Sequence, residues 1–306
     1  MSTMPSRKVL SRISSLLGIA IGVAGVAFIV RTLTTKWAEV SEALSHMNAS
    51  NLLLSVVLGL CAMTTIGALW VSMLRARSNN VAYRQAMSWY FTGQLGKYVP
   101  GGIWPIVGRA ELAVRNNVAR TDAYATTGLS LVTTYTGAII AIAIGAAFTQ
   151  GKQLISLGIV VLLIVGYVLF ANTWLRTKAI ATLSAISPSA QSLTDPQRLA
   201  RLALAHVPSW ILMSLSTTVT ASAFHANIGV LHMLFITSTS WLVGFVVVGV
   251  PGGIGVREAV FTSLASGFIG APIAVSIALM SRVVFIVVDL VGAFLSNIVA
   301  RTSAKS

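Results

Sequence analysis

Residues 52–74 read LLLSVVLGLCAMTTIGALWVSML, an apolar run without one charged side chain. About 20 such residues are what an α-helix needs to cross the hydrocarbon core of a bilayer. Inside that core every backbone N–H and C=O must be bonded within the segment, which leaves the chain little choice but helix. Comparable runs recur at 13–30, 123–148, 154–171, 204–224 and 273–300. The chain is therefore expected to be an all-α polytopic membrane protein, one integral membrane domain over 1–306. A further apolar run, 234–250, is ambiguous and opens an alternative count of seven or eight spans.

The formal net charge is +14, which in a soluble chain points to nucleic acid. Here the basic residues sit in the loops between apolar runs. If the N-terminus is cytoplasmic, one face collects Arg7, Lys8, Arg12, Arg75, Arg77, Arg84, Arg301 and Lys305 among others, and the opposite face keeps few beyond Arg31, Lys36 and Lys152. That is the positive-inside pattern of a multi-pass protein in a cytoplasmic membrane, and no nucleic-acid partner is expected. Arg7, Lys8 and Arg12 imitate a signal peptide, but no small-residue cleavage site closes the run behind them, so a retained first helix is expected. Trp70, Trp174 and Trp210 fall near the cytoplasmic helix ends, where interfacial anchors belong. The lone Cys61 and four histidines without ligand spacing imply no metal and no cofactor. The longest polar connection, 172–203, is too short for a catalytic domain, which places the function within the bilayer.

Two stretches interrupt the apolar text: YVPGGIWPIVGRAEL at 98–112 and GVPGGIGVREAV at 249–260. Each is preceded by Ser-Trp, at Ser88-Trp89 and Ser240-Trp241, and followed by Arg and Glu, then a span. The chain thus reads as two related halves, 13–149 and 154–300, each of three spans plus one motif segment. Three is odd. If neither motif segment crosses fully, the second half inserts upside down, giving two inverted three-helix repeats, six spans, two re-entrant segments and a cytoplasmic C-terminus. Proline and two glycines break a helix, and irregular backbone at membrane depth survives only where protein or water satisfies it. The half-helix that restarts has free N–H groups, and an arginine beside them makes an anion site.

Within the spans, Arg282 and Asp289 stand seven apart on one helix face. Ionisable groups near the bilayer centre cost ~2.5–3.5 kcal/mol on insertion scales, so both are candidate functional residues, either paired or bonded to different neighbours. Thr126, Ser130 and Thr133, and again Ser214, Thr218 and Ser222, form hydroxyl stripes that either line a groove or bond their own preceding carbonyls. Asp122 reads as part of a helix start. No P-loop, GxSxG, HExxH or Asp-rich diphosphate signature appears, and Glu39 and Glu42 read as a solvated helix face.

The paired segments LGKYVPGGIWPIVGRAEL and VPGGIGVREAVF resemble the signatures of the lysylphosphatidylglycerol synthase transmembrane-region family, also called flippase-like integral membrane proteins. The resemblance implies a membrane unit that moves lipid between leaflets, here as a standalone member without the soluble aminoacyl-transferase domain that some members carry. It also implies a set of substrate-contacting residues: Lys97, Pro100, Gly101, Gly102, Arg109 and Glu111, then Pro251, Gly252, Gly253, Arg257 and Glu258, to which the span residues Arg282 and Asp289 are added. Arginine forks suit phosphate, and the glutamates are expected to hold the arginines until substrate arrives. The expected cargo is an anionic phospholipid or a polyprenyl-phosphate-linked sugar for cell-envelope assembly, moved without catalysis. Two rivals are a polytopic transferase using Glu39 or Glu258 as acid-base or metal residues, and an accessory protein partnering envelope glycolipid synthases.

Overall fold

Apolar runs and their caps set the helix boundaries. The computed structural model describes residues 47–78, 81–98, 103–184, 195–247 and 253–303, with isolated positions between 31 and 45. The expected first span at 13–30, Glu39, and the motif residues Pro100, Gly101, Gly102, Pro251 and Gly252 lie outside the described residues. The helices are α1 (Ala49–Arg75), α2 (Tyr83–Gln94) continued by one 3-10 turn (Leu95–Tyr98), α3 (Trp104–Arg115), α4 (Arg120–Ala147) and α5 (Gln153–Ala171). They are followed by α6 (Thr173–Ser184), α7 (Pro196–Ala223), α8 (Val230–Val246), α9 (Val256–Ile269) and α10 (Ala271–Ser303). Asn48 starts α1 by accepting from the Ser50 N–H, and Asp195 starts α7 by accepting from Gln197 and Arg198, with Pro196 in the first turn where no donor is missed.

Five helices among the described residues, α1, α4, α5, α7 and α10, are long and apolar enough to cross a membrane. α8, with 17 residues, is about 25 Å long at 1.5 Å per residue, short of the ~30 Å hydrocarbon core. The ambiguous run at 234–250 thus belongs to a helix that begins earlier, at Val230, and ends at Val246. The connection at 172–203 is not simply polar loop, since α6 and the first turns of α7 occupy much of it.

The two central spans, α1 and α7, lie against each other, and small hydroxyl residues fasten them. The Ser55 hydroxyl donates to the Ser216 carbonyl and the Ser216 hydroxyl to the Ser55 carbonyl, both at 2.8 Å, with Thr220 joining the cluster. This is how helices associate in lipid, where burial of apolar surface no longer drives them together. α5 stands at the periphery against α4, burying only Ser156. Its Leu, Ile and Val side chains are exposed all round, as a helix facing lipid requires.

Between the long helices sit two helical hairpins. α2 with its 3-10 turn runs in and α3 runs back: a Cβ on Gly93 would lie 2.8 Å from the Arg109 Cβ, and one on Gly96 would lie 2.8 Å from the Trp104 carbonyl carbon. α8 and α9 form the other, with Gly244 against Arg257 and Gly253, whose φ is +67°. Glycine is required here because the two arms of each hairpin touch through backbone. α2 packs on α1, α3 and α10, and α8 packs on α7, α9 and α4. Exchanging α1 with α7, α2 with α8, α3 with α9 and α4 with α10 turns the first set of neighbours into the second.

α10 shows how the hairpins are disposed. Along it, Arg282 meets Glu258 of α9, Phe285 meets Trp241 of α8, Asp289 meets Lys97 and Tyr98, and Asn297 meets Thr92 of α2. α4 repeats this: Tyr124 meets Glu111 of α3, Tyr135 meets Phe245 of α8, and Gly145 packs on Leu231 and Phe235 of α8. The hairpins therefore approach from opposite ends of both helices and meet midway.

Candidate functional site

The meeting point of the hairpins carries the charges. Because Gly93 has no side chain, α3 comes close enough to α2 for the Arg109 guanidinium to lie over the rings of Tyr90 and Trp70, 5.6 and 5.8 Å from their centroids. Arg109 is 5% exposed. In the second hairpin Gly244 does the same for Arg257, whose guanidinium sits 3.9 Å above Trp241 and 5.6 Å from Phe285. Tyr90 and Trp241 each stand ten residues before their motif proline. The aromatic equivalence is therefore Tyr90 with Trp241, not the Trp89 with Trp241 that the shared Ser-Trp text implies. Ser88 and Ser240 each bond only a carbonyl three residues back.

Two ion pairs brace this region. Lys97 pairs with Asp289, to which the Tyr98 hydroxyl also donates, tying the tip of the first hairpin to α10. Glu258 accepts from the Gly255 N–H at 2.7 Å with one oxygen and from Arg282 at 2.6 Å with the other. Arg282 and Asp289 thus bond to different neighbours, one on each hairpin. The expectation that the glutamates hold the motif arginines fails. Glu258 holds Arg282, and Glu111 turns outward to the Tyr124 hydroxyl and, at 2.8 Å, to Arg120. The bond from Tyr124, helped by the Arg120 charge, keeps the Glu111 carboxyl below the usual carboxylate range. The reason is helical geometry, since residues one and two apart do not face each other. The free helix start expected at the second motif is also partly taken, because Glu258 occupies the Gly255 amide itself.

What remains is a charge excess. Lys97, Arg109, Arg257 and Arg282 face two carboxylates, Glu258 and Asp289, and both are committed. Arg109 and Arg257 have no carboxylate partner among the described residues. A guanidinium stripped of water is costly, and stacking on aromatic faces returns about 2 kcal/mol when desolvated. A cavity of about 260 Å³ opens between the hairpins, lined by Tyr90, Gln94, Lys97 and Arg109 on one side and Trp241 and Phe245 on the other. A smaller one of about 20 Å³ joins Lys97, Tyr98, Arg257 and Arg282. Two residues that line the larger cavity, Arg109 and Trp241, each carry a buried N–H (Nε and Nε1) with no acceptor among the described residues. An acceptor-rich anion fits donors left in this state.

Other sequence expectations resolve differently. Trp70 and Trp210 are core residues, not anchors; Trp70 lies under Arg109 and Trp210 donates to the Thr134 carbonyl, while Trp174 is exposed. In the hydroxyl stripes Thr133, Thr218 and Ser222 bond preceding carbonyls, whereas Thr126, Ser130 and Ser214 are buried without a partner among the described residues. Asp122 lies in the first turn of α4, 3.4 Å from Arg77. Tyr90, Tyr98 and Gln94 were not singled out by the sequence, and only their placement just before Val-Pro-Gly-Gly marks them. Among the described residues no group of His, Cys, Asp and Glu is arranged to hold a metal ion.

Among curated proteins none matches the chain. The sequence model of one family, described as Lysylphosphatidylglycerol synthase TM region, matches residues 15–292.

Proposed function

The chain belongs to the lysylphosphatidylglycerol synthase TM-region family, and from that premise we propose that this multi-pass membrane protein is a lipid translocase of the cytoplasmic membrane. Its two hairpins act as inverted re-entrant elements, one reaching in from each leaflet. The headgroup of an anionic phospholipid or polyprenyl-phosphate sugar passes between them while its tails stay in lipid. One observation supports the reading: two stacked guanidiniums without carboxylates, Arg109 and Arg257, one on each hairpin, line two cavities that have Lys97, Trp241 and Phe245 in common. A phosphodiester brings the acceptors and the negative charge that this place is short of. Glu258, which an acid-base mechanism would need free, has both oxygens engaged, and this favours a non-enzymatic role.

The test is a leaflet assay in proteoliposomes, using fluorescent phosphatidylglycerol that a membrane-impermeant reductant quenches. Wild-type protein is expected to expose inner-leaflet lipid to the reductant. Arg109→Ala and Arg257→Ala each remove a charge-assisted contact of ~1.5–3 kcal/mol, which slows transfer about ten- to a hundredfold. Absence of protein-dependent transfer for every anionic lipid tried, polyprenyl phosphate included, would remove the proposal.

A further inference from the structure

Asp289 has a feature that the headgroup pathway does not use. It is fully buried on α10, and its Oδ2 takes both the Lys97 ammonium and the Tyr98 hydroxyl. Its Oδ1 is buried with no hydrogen-bond partner among the described residues. A carboxylate oxygen left bare in an apolar interior is a vacancy for a donor.

The groups around it define what fills that vacancy. From the first hairpin come Lys97, Tyr98 and, farther off, Tyr90; from α9 comes Arg257, beside a Glu258 already bound to Arg282; α10 itself supplies Arg282. Lys97 is the only direct cationic partner of Asp289 among the described residues. It also lines both cavities, which places it where an incoming phosphate first competes for its ammonium.

We propose that Asp289 is the proton-binding site that couples lipid movement to a proton: an anionic headgroup takes Lys97 away from Asp289, and the abandoned carboxylate binds one proton at Oδ1. The proposal rests on the translocase reading and names its coupling ion. The balance is simple. Before binding, the ammonium and carboxylate cancel; afterwards the ammonium cancels the phosphate and the aspartic acid is neutral. One proton enters with one monoanionic headgroup and no net charge moves, so transfer responds to a pH difference but not to membrane potential. The larger cavity, which Lys97 lines, has room for several waters to bring the proton as far as the space that the ammonium leaves.

Infrared difference spectroscopy on the full chain in detergent tests the site apart from transport. Dihexanoyl phosphatidylglycerol is the probe, glycerophosphoglycerol the version without tails, and dioctanoylglycerol the control without phosphate. Adding the lipid is expected to raise a carboxylic-acid C=O band, told from the lipid's own ester carbonyls by its shift in D2O, that is missing in Asp289→Asn. In Lys97→Met the band is expected before any lipid is added, which keeps the test valid should the asparagine variant fail to fold. A band with glycerophosphoglycerol as well supports the site and assigns the trigger to the phosphodiester alone. No lipid-induced band, a band that survives in Asp289→Asn, or one raised equally by dioctanoylglycerol overturns the proposal. In proteoliposomes, a pH difference is expected to change the transfer rate several-fold while a potassium-valinomycin potential leaves it unchanged. Transfer indifferent to pH would sink the coupling and spare the translocase. A lipid-induced band without transfer would do the reverse.

Discussion

Arg257 lies flat on the indole of Trp241 at 3.9 Å, and the value of that contact depends on shape as well as charge. A guanidinium is planar and presents a fork of N–H donors beyond the ring it stacks on, whereas an ammonium is a strongly hydrated point charge. Arg257→Lys is therefore expected to lose about tenfold in transfer rate although the charge is kept, equivalent to ~1.4 kcal/mol, and Arg257→Gln to be no better. Equal rates for lysine and arginine in the leaflet assay would reduce the site to simple electrostatics. Both arginines were legible in the sequence, as cations beside a repeated helix breaker. Their surroundings were not. The bond from Tyr98 to Asp289 joins residues 191 apart in the chain, and no local pattern announces such a pairing. The glutamates misled for a local reason: adjacency in sequence to arginine suggested a pair, while the helix turns neighbours onto different faces.

Each hairpin depends on a glycine against an arginine backbone, Gly93 against Arg109 and Gly244 against Arg257. A Cβ at Gly93 would also meet the backbone nitrogen of Arg109 at 3.0 Å, which has no side-chain freedom with which to retreat. Gly93→Leu and Gly244→Leu are each expected to force the arms apart at ~1–3 kcal/mol, the usual cost of overpacking. Thermal unfolding in detergent should show both less stable than wild type, with Gly158→Leu, where a Cβ meets nothing within 4 Å, as the unaffected control. Unchanged melting of Gly93→Leu would mean that the arms are not pressed together. The motif itself was readable because proline and glycine declare a break. The length of α8 was not, because Val230–Val246 carries no Asp, Glu, Lys or Arg and hydropathy alone does not distinguish a buried short helix from a span.

Across the whole molecule, the long apolar helices were visible in the sequence because lipid imposes length and composition together. Their arrangement was not, since small hydroxyl contacts such as Ser55 with Ser216 carry no signature beyond ordinary serine. The proposed entry of the hairpins from opposite leaflets makes a topological prediction. In a Cys61→Ser background, cysteine at Tyr83, which opens the first hairpin, and at Leu231, which opens the second, should react with an impermeant maleimide from opposite sides of the membrane. Both positions are exposed, at 42% and 38%. Labelling of both from one side would contradict the antisymmetric arrangement. The two hairpins are nonetheless not copies. Each arginine lies against the glycine seven residues before its proline, yet Arg109 stacks on Tyr90 and Trp70 while Arg257 stacks on Trp241 and Phe285 and shares a small cavity with Arg282. On the translocase reading, the well that receives cargo from one leaflet therefore differs in lining from the well that receives it from the other. Half-saturation should come at different lipid densities on the two sides, yet detailed balance fixes Vmax/KM to be equal in both directions unless an ion gradient is spent. Unequal concentration dependence would thus report the difference between the two arginine sites, and net accumulation would report the gradient.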